Sequence, residues 1–277
     1  MNRVRLDVLL LERGLFPSRE AAKRAIMAGL VRRNQEVVDK PGTFVHPEDV
    51  FQVIRPSHQY VGRGGLKLER ALTRFQIDLH QRVVVDVGSS TGGFTDCALQ
   101  RGARIVYAVD VGYGQLDWKL RQDPRVVVME RTNFRYVERS GFSVLPSVAI
   151  MDVSFISTRL LLPKLKEILD KSQDVVSLIK PQFEAGKGKV GKGGIVRDPQ
   201  IHVEVLAGLL DFAYDSGFVC RGLDFSPITG GNGNIEYLAW WQGNPEEDRQ
   251  SRGTSRDGWK QQVDGLVKQA WQEVSRD

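Results

Sequence analysis

Four ionisable residues stand where charge is costly unless it is paired or put to use. Lys67 lies within Gly64-Gly65-Leu66-Lys67-Leu68, and Asp152 ends Val148-Ala149-Ile150-Met151-Asp152. Lys180 ends Val175-Val176-Ser177-Leu178-Ile179-Lys180, and Glu236 follows Gly233-Asn234-Ile235. Two amines and two carboxylates drawn from apolar surroundings are a set suited to controlling a proton. A neutral amine takes a proton, a charged one orients a lone pair, and carboxylates bias the balance. The runs before Asp152 and Lys180 read as buried parallel strands, so both side chains emerge at strand carboxyl ends, where open α/β sheets place ligands. Taken singly, each residue also reads as an ordinary strand-end ion pair. Together with a glycine loop they point to an enzyme.

That loop is Val83-Val84-Val85-Asp86-Val87-Gly88-Ser89-Ser90-Thr91-Gly92-Gly93-Phe94-Thr95, a β-branched strand followed by glycines and hydroxyls, with a helix starting between Gly92 and Thr95. Glycines admit a ligand close to the backbone, and a helix N-terminus offers unpaired N–H groups. A second strand, Ile105-Val106-Tyr107-Ala108-Val109, ends in Asp110, about twenty residues on, where a carboxylate can accept both ribose hydroxyls of a nucleoside. Dinucleotide-binding and S-adenosylmethionine-binding domains share this arrangement. The spacing departs from the G-x-G-x-x-G of dehydrogenases, which lowers the nicotinamide reading, and such an enzyme needs no paired lysines at strand ends.

The elements that position these residues form three parts. A chain of 277 residues with 41% hydrophobic residues can build more than one core. Residues 3–58 read as a small α/β module. Leu6, Leu9 and Leu10 make a short amphipathic helix ended at Gly14, and Ser18 caps a second helix from Arg19 to Met27 that buries Ala22, Ile26 and Leu30. Short strands are expected around Val31, Val37-Val38 and from Val50 to Ile54, with turns at Asn34-Gln35 and Lys40-Pro41-Gly42. Arg19, Lys23 and Arg24 share the polar side of the second helix, which with Arg32-Arg33 suggests nucleic-acid binding over a merely solvated face. Residues 59–242 carry the glycine loop and the four ionisable positions. In residues 243–277, Asn244 to Gly258 reads as a charged, flexible linker, and Val263, Leu266, Val267, Ala270, Trp271 and Val274 recur at helical spacing on a tail helix expected to dock on the body.

Two stretches carry a family resemblance. Arg5-Leu6-Asp7, Leu15-Phe16-Pro17-Ser18-Arg19, Ala22, Ile26, Gly29 and Lys40-Pro41-Gly42 resemble the S4 RNA-binding module, with Gln35 standing where such hairpins often have glycine. Tyr60-Val61-Gly62-Arg63-Gly64-Gly65-Leu66-Lys67-Leu68, Asp86 to Asp96, Met151 to Ser157, Ile179 to Glu184, Gly191 to Asp198 and Ser226 to Gly230 resemble the FtsJ-type methyltransferase domain. In this order, over residues 3 to 242, they are similar to the hemolysin A (TlyA) family of ribosomal RNA 2′-O-methyltransferases. The resemblance implies an α/β, Rossmann-like S-adenosylmethionine-dependent fold behind a small N-terminal α/β S4 domain, and a catalytic Lys67–Asp152–Lys180–Glu236 tetrad. It implies S-adenosyl-L-methionine as cofactor, with Asp86, Gly88, Ser90, Gly92, Gly93 and Phe94 around the methionine end. Asp110 then holds the ribose, and Asn133 reads the adenine edge. Arg5, Arg19, Lys23, Arg24, Arg63 and Lys189 are the expected RNA contacts, Lys189 within a mobile loop from Gly186 to Gly194 facing the RNA. The expected partner is ribosomal RNA or a ribosomal subunit, the acceptor a cytidine in 16S or 23S RNA.

Other classes fare worse. An RNA-binding protein with a dead methyltransferase domain would have lost members of the tetrad, and all four are present. A pore-forming haemolysin needs membrane-inserting sequence, and no long apolar run or signal-peptide core occurs. Cys97 and Cys220 are the only cysteines and suggest neither a metal site nor a disulfide framework. A net charge of +5 permits a polyanionic partner. These features fit a cytoplasmic enzyme with no membrane partner; the oligomeric state is left open.

Overall fold

Leucines at positions 6, 9 and 10 fall on one side of a helical turn, and their burial pulls the first module together. The computed structural model describes the chain except residues 1–2, 17, 28, 35, 54–59, 171–173, 187, 231–232, 244–255 and 275–277, and except the side chains of Arg24 and of residues 256–260. The expectations at Pro17, Gln35, Lys187, the Arg24 side chain and most of the charged linker lie outside the described residues. Two compact units divide the chain, Met1–Gln59 and Tyr60–Asp277.

The first unit contains β1 (Val4–Arg5), α1 (Leu6–Glu12), α2 (Arg19–Met27), β2 (Val31–Arg33), β3 (Glu36–Val37), β4 (Phe44–Val45) and β5 (Phe51–Val53). Leu6, Leu9 and Leu10 pack with Ala22, Ala25 and Ile26 over Val31 and Val45. The Ser18 hydroxyl accepts from the Ala21 amide at 3.1 Å, the expected cap of α2. Strands β3, β2 and β5 form one antiparallel sheet, and β1 pairs with β4 in a second.

The second unit runs α3 (Gly64–Phe75), β6 (Val83–Val87), α4 (Gly93–Gln100), β7 (Ile105–Val109), α5 (Trp118–Arg121), β8 (Val126–Met129), β9 (Val148–Met151), α6 (Leu162–Ile168), β10 (Asp174–Ile179), α7 (Pro181–Glu184), α8 (Pro199–Asp215), β11 (Phe218–Phe225), β12 (Tyr237–Gly243) and α9 (Arg256–Val274). Its seven-stranded sheet has the order β11-β12-β10-β9-β6-β7-β8. The strands from β6 to β10 are parallel, while β12 runs antiparallel to β10 and β11. Burial on both faces explains their near-continuous apolar sequences. Helices α3, α4 and α5 cover one face through Leu68, Leu72, Phe94, Leu99 and Leu120. Helices α6, α8 and α9 cover the other through Leu165, Leu206, Leu210, Val263 and Val267. The tail helix docks as its apolar stripe foretells, and it begins at Arg256, inside the segment expected to be linker.

This strand order puts a topological switch point between β6 and β9. There the chain's excursions toward β7 and β10 diverge and leave a crevice at the strand carboxyl ends. Antiparallel β12 begins at that same edge, because Tyr237 pairs with Ile179. Glu236, just before it, is thereby brought beside Lys180.

Candidate active site

A cavity of about 350 Å³ opens at the switch point. Gly88 and Ser90 after β6, Asp110 after β7, Thr132, Asn133 and Phe134 after β8, and Asp152 to Ile156 after β9 line it. Asp110 uses both oxygens locally: Ser90 N donates to Oδ2 at 2.8 Å and Gly112 N to Oδ1 at 2.7 Å. These bonds hold its carboxylate at the cavity wall and tie the glycine loop to β7. Asn133 also lines the cavity, and its Oδ1 accepts from Arg135 N at 3.1 Å, capping the single turn Phe134–Tyr136. An adjoining cavity of about 230 Å³ is lined by Gly88, Ser90, Gly93, Phe94, Asp152 and Lys180 among others.

Two residues expected to wrap a cofactor stand back from these walls. Asp86 is fully buried and shares its face of β6 with Val84, toward α3 and α4; Thr95 Oγ1 donates to its Oδ2 at 2.6 Å. It anchors the start of α4 from behind. Burial, with Asp152 and Asp110 adding repulsion, pushes its carboxyl up to about 7, although the Thr95 hydrogen bond opposes this. Gly92 likewise acts through packing. At φ 98° its missing side chain leaves the space taken by Leu120 Cδ1, 2.2 Å from where a Cβ would stand. Gly93 does reach the wall, and it lets α4 approach α3: a Cβ there would lie 3.0 Å from Gly65 N.

The four ionisable residues converge. Lys67 Nζ, one turn into α3, donates to Glu236 Oε2 at 2.7 Å and lies 3.7 Å from Asp152 Oδ2. Lys180 Nζ forms an ion pair with Asp152 Oδ1 at 2.6 Å and donates to Ser154 Oγ at 3.0 Å. Lys67, Lys180 and Glu236 are all buried. Burial pushes the Glu236 carboxyl above its ordinary value even though Lys67 and Lys180 pull it down. Two cations and two anions in contact form a neutral set whose charges are each other's main solvation.

A third pocket, about 260 Å³, lies on the other side of Lys180 and is lined by Ser154, Phe155, Gln182, Phe183, Gly194, Asn234 and Glu236. Phe155 reaches both this pocket and the large cavity. It adopts φ 64°, a left-handed conformation costly for a bulky side chain, and is 91% exposed. Its ring meets Phe183 at 5.1 Å. Sequence reasoning missed Ser154 and Phe155 as site residues. Both lie in the Met151-Asp152-Val153-Ser154-Phe155-Ile156-Ser157 stretch, so their place beside Asp152 was the available signal.

The expected RNA contacts are spread over both units. In the first, Arg5 and Arg19 reach the buried Asp7 carboxylate at 3.0 and 2.9 Å. Burial pushes the Asp7 carboxyl up, but the two guanidiniums outweigh it and hold it below the usual carboxylate range. Lys23 lies 3.9 Å from Glu20. In the second unit, Arg63 is exposed at the start of α3 and Lys189 pairs with Glu204 at 2.6 Å. Residues 188–194 are irregular, as expected, yet tied down: Gly191 N donates to Ile195 O, and Asn234 Nδ2 to Gly194 O, both at 2.9 Å.

Comparison with known proteins agrees with this architecture. Residues 4–51 match the S4 domain and residues 60–242 the FtsJ-like methyltransferase. YqxC of Bacillus subtilis, provisionally named an rRNA methyltransferase, is 55% identical over 249 residues, 89% of each chain. The 16S/23S rRNA (cytidine-2′-O)-methyltransferase TlyA of Mycobacterium tuberculosis is 43% identical over 240 residues, 86% of this chain and 90% of that one. A solved structure from Streptococcus thermophilus, provisionally named a hemolysin, superposes with a TM-score of 0.77 at 48% identity, covering 100% of this chain and 98% of that one. With an S4 domain ahead of an FtsJ-like domain, and relatives this close over most of their length, the chain belongs to the hemolysin A (TlyA) family of FtsJ-like methyltransferases.

Proposed function

We propose that the protein transfers a methyl group from S-adenosylmethionine to a ribose 2′-hydroxyl of ribosomal RNA, the acceptor being a cytidine of the 16S or 23S RNA. The observation that carries this reading is the neutral cluster of Lys67, Asp152, Lys180 and Glu236 at the edge of a nucleoside-sized cavity. The name of the Mycobacterium tuberculosis relative supports the choice of nucleotide and of RNA.

The donor set of the large cavity fits S-adenosylmethionine. Asp110 offers a carboxylate for ribose hydroxyls, Val109, Phe134, Ile156 and Leu161 an apolar slot for a base, and the Gly88–Gly93 loop exposed backbone for the amino-acid end. When bound, the cofactor supplies a methyl group already activated by its sulfonium charge. What remains for the protein is placement of a weak nucleophile and control of its proton. Lys180, held between Asp152 and Ser154, addresses the 2′-hydroxyl. As a neutral amine it takes the hydroxyl proton; as an ammonium it orients the oxygen lone pair. Lys67 spreads one positive charge over Asp152 and Glu236 and so keeps both carboxylates in place. Phe155, exposed and backed by the half-buried Phe183, gives the acceptor base an aromatic surface beside the reacting ribose. Arg5, Arg19, Lys23 and Arg24 hold phosphates from the S4 unit, and Arg63 and Lys189 do so from the methyltransferase unit.

The haemolysin reading lacks comparable support, since among the described residues no helix is long and apolar enough to cross a membrane. Incubation with methyl-labelled S-adenosylmethionine and ribosomal RNA, free or in subunits, tests the proposal. Label should appear in dinucleotides that resist alkali, the mark of a blocked 2′-oxygen. Label on a base, or none on any RNA, contradicts it.

A further inference from the structure

His202 of α8 has no part in the chemistry above, yet it is fully buried and its ring uses both nitrogens. Nε2 lies 3.0 Å from Val196 O, and Nδ1 lies 2.9 Å from the Tyr237 hydroxyl oxygen. A carbonyl only accepts, so Nε2 carries the proton and donates, and Nδ1 accepts from the Tyr237 O–H. Burial lowers the imidazole below its ordinary titration range and preserves this neutral tautomer.

Both partners lead to the pocket beside Lys180. Tyr237 directly follows Glu236 and pairs with Ile179, which directly precedes Lys180. Val196 N donates to Asn234 Oδ1 at 3.2 Å, and Asn234 Nδ2 donates to Gly194 O at 2.9 Å. Gly194, Asn234 and Glu236 share a pocket wall with Lys180. From the opposite side, Trp271 of α9 sets its ring nearly perpendicular to the imidazole, with centroids 5.5 Å apart at 75°.

We infer that His202 is a positioning residue for methyl transfer and that the C-terminal helix acts through it. Trp271 clamps the imidazole; the imidazole pins Val196 and Tyr237; these set the 194–196 wall and Glu236. The tail helix thus becomes part of the substrate pocket's support without touching substrate. This rests on the methyltransferase reading of that pocket.

The test uses the full chain with His202→Leu, His202→Gln and Trp271→Leu. Glutamine places an N–H close to the imidazole Nε2 and so restores the bond to Val196. Amide hydrogen exchange, single-turnover methylation of ribosomal RNA, calorimetric cofactor affinity and thermal melts are read on each. With leucine at 202, exchange at the Gly194 and Val196 amides should rise about tenfold over that in β6 and β9, since only a local opening is made easier. Methylation should slow by about tenfold while cofactor affinity stays within about twofold, because the loss falls on the transition state. Glutamine should recover most of both, and Trp271→Leu should move both in the direction of His202→Leu. Should leucine at 202 unfold the chain, Tyr237→Phe removes one hydroxyl and reads the same coupling. Exchange that rises evenly across the unit without rescue by glutamine would make His202 an ordinary core residue. Unchanged exchange and rate would overturn the inference equally. The exchange arm needs no RNA, so a wild-type chain that leaves ribosomal RNA unmethylated contradicts the proposed function and not the coupling of His202 to the wall.

Discussion

Asp110 and Asp86 end or nearly end neighbouring strands and carry the same side chain, yet their surroundings give them different work. Asp110 stands at the cavity wall, where it accepts two backbone N–H groups. Asp110→Ala should weaken S-adenosylmethionine binding by about 1–3 kcal/mol, as ribose hydroxyls lose a charged acceptor and the glycine loop loses its tie. RNA affinity should stay near normal, and a calorimetric titration with unchanged cofactor affinity removes Asp110 from that role. Asp86 lies behind the loop, with a folded-state titration near 7 against an ordinary value of 3.8. A raised carboxyl stabilises in full below its unfolded value and loses that contribution as pH rises through its folded one. Asp86→Asn should therefore melt close to wild type near pH 4, gain on it steadily up to about pH 7, and hold a constant lead above that. Parallel melting curves across the range would mean that Asp86 is ionised throughout. The four residues that converge were legible because charge in apolar runs is conspicuous. Ser154 was not, because a serine beside a strand end is common and only its 3.0 Å contact with Lys180 marks it.

At the scale of elements, period and burial carried most of the reading. The apolar stripe of α9 named its buried face correctly, down to Val263, Val267, Ala270 and Val274. The parallel strands ending at Asp152 and Lys180 were equally plain. The direction of β12 was not, because an antiparallel strand has no local signature that a parallel one lacks; only its pairing with β10 brings Glu236 to the site. The two-residue pair β1–β4 is too short to show a period at all. In α2, helical spacing placed the cations on one side but hid what they meet. Arg19 is spent in part on Asp7, so a charge reversal that tests the basic face leaves Arg19 in place and takes Lys23 and Arg24. Reversing both to glutamate should weaken RNA binding and reduce the steepness of its salt dependence, with cofactor affinity unchanged. An RNA affinity and salt slope equal to wild type would leave that face a solvated surface.

In the proposed reading, the S4 unit holds polyanion and the methyltransferase unit holds the cofactor and the four-residue cluster. The S4 and FtsJ-like stretches lie in separate compact units, each with its own apolar core. What stayed hidden were couplings between residues far apart in sequence that no motif joins, such as His202 with Trp271. Such contacts follow from the fold and leave no trace in local pattern. We propose that methyl transfer runs through Lys180, and single-turnover methylation of ribosomal RNA by Lys180→Ala and Lys180→Arg, with melts and binding alongside, tests this most directly. Lys180→Ala should abolish transfer while cofactor and RNA still bind, because its contribution lies in the transition state. Lys180→Arg should fail almost as badly if the amine takes the proton, as a guanidinium stays charged and its planar fork cannot occupy the same position. Near-normal transfer by the arginine variant would restrict Lys180 to orienting the hydroxyl, and near-normal transfer by the alanine variant would contradict the catalytic assignment itself.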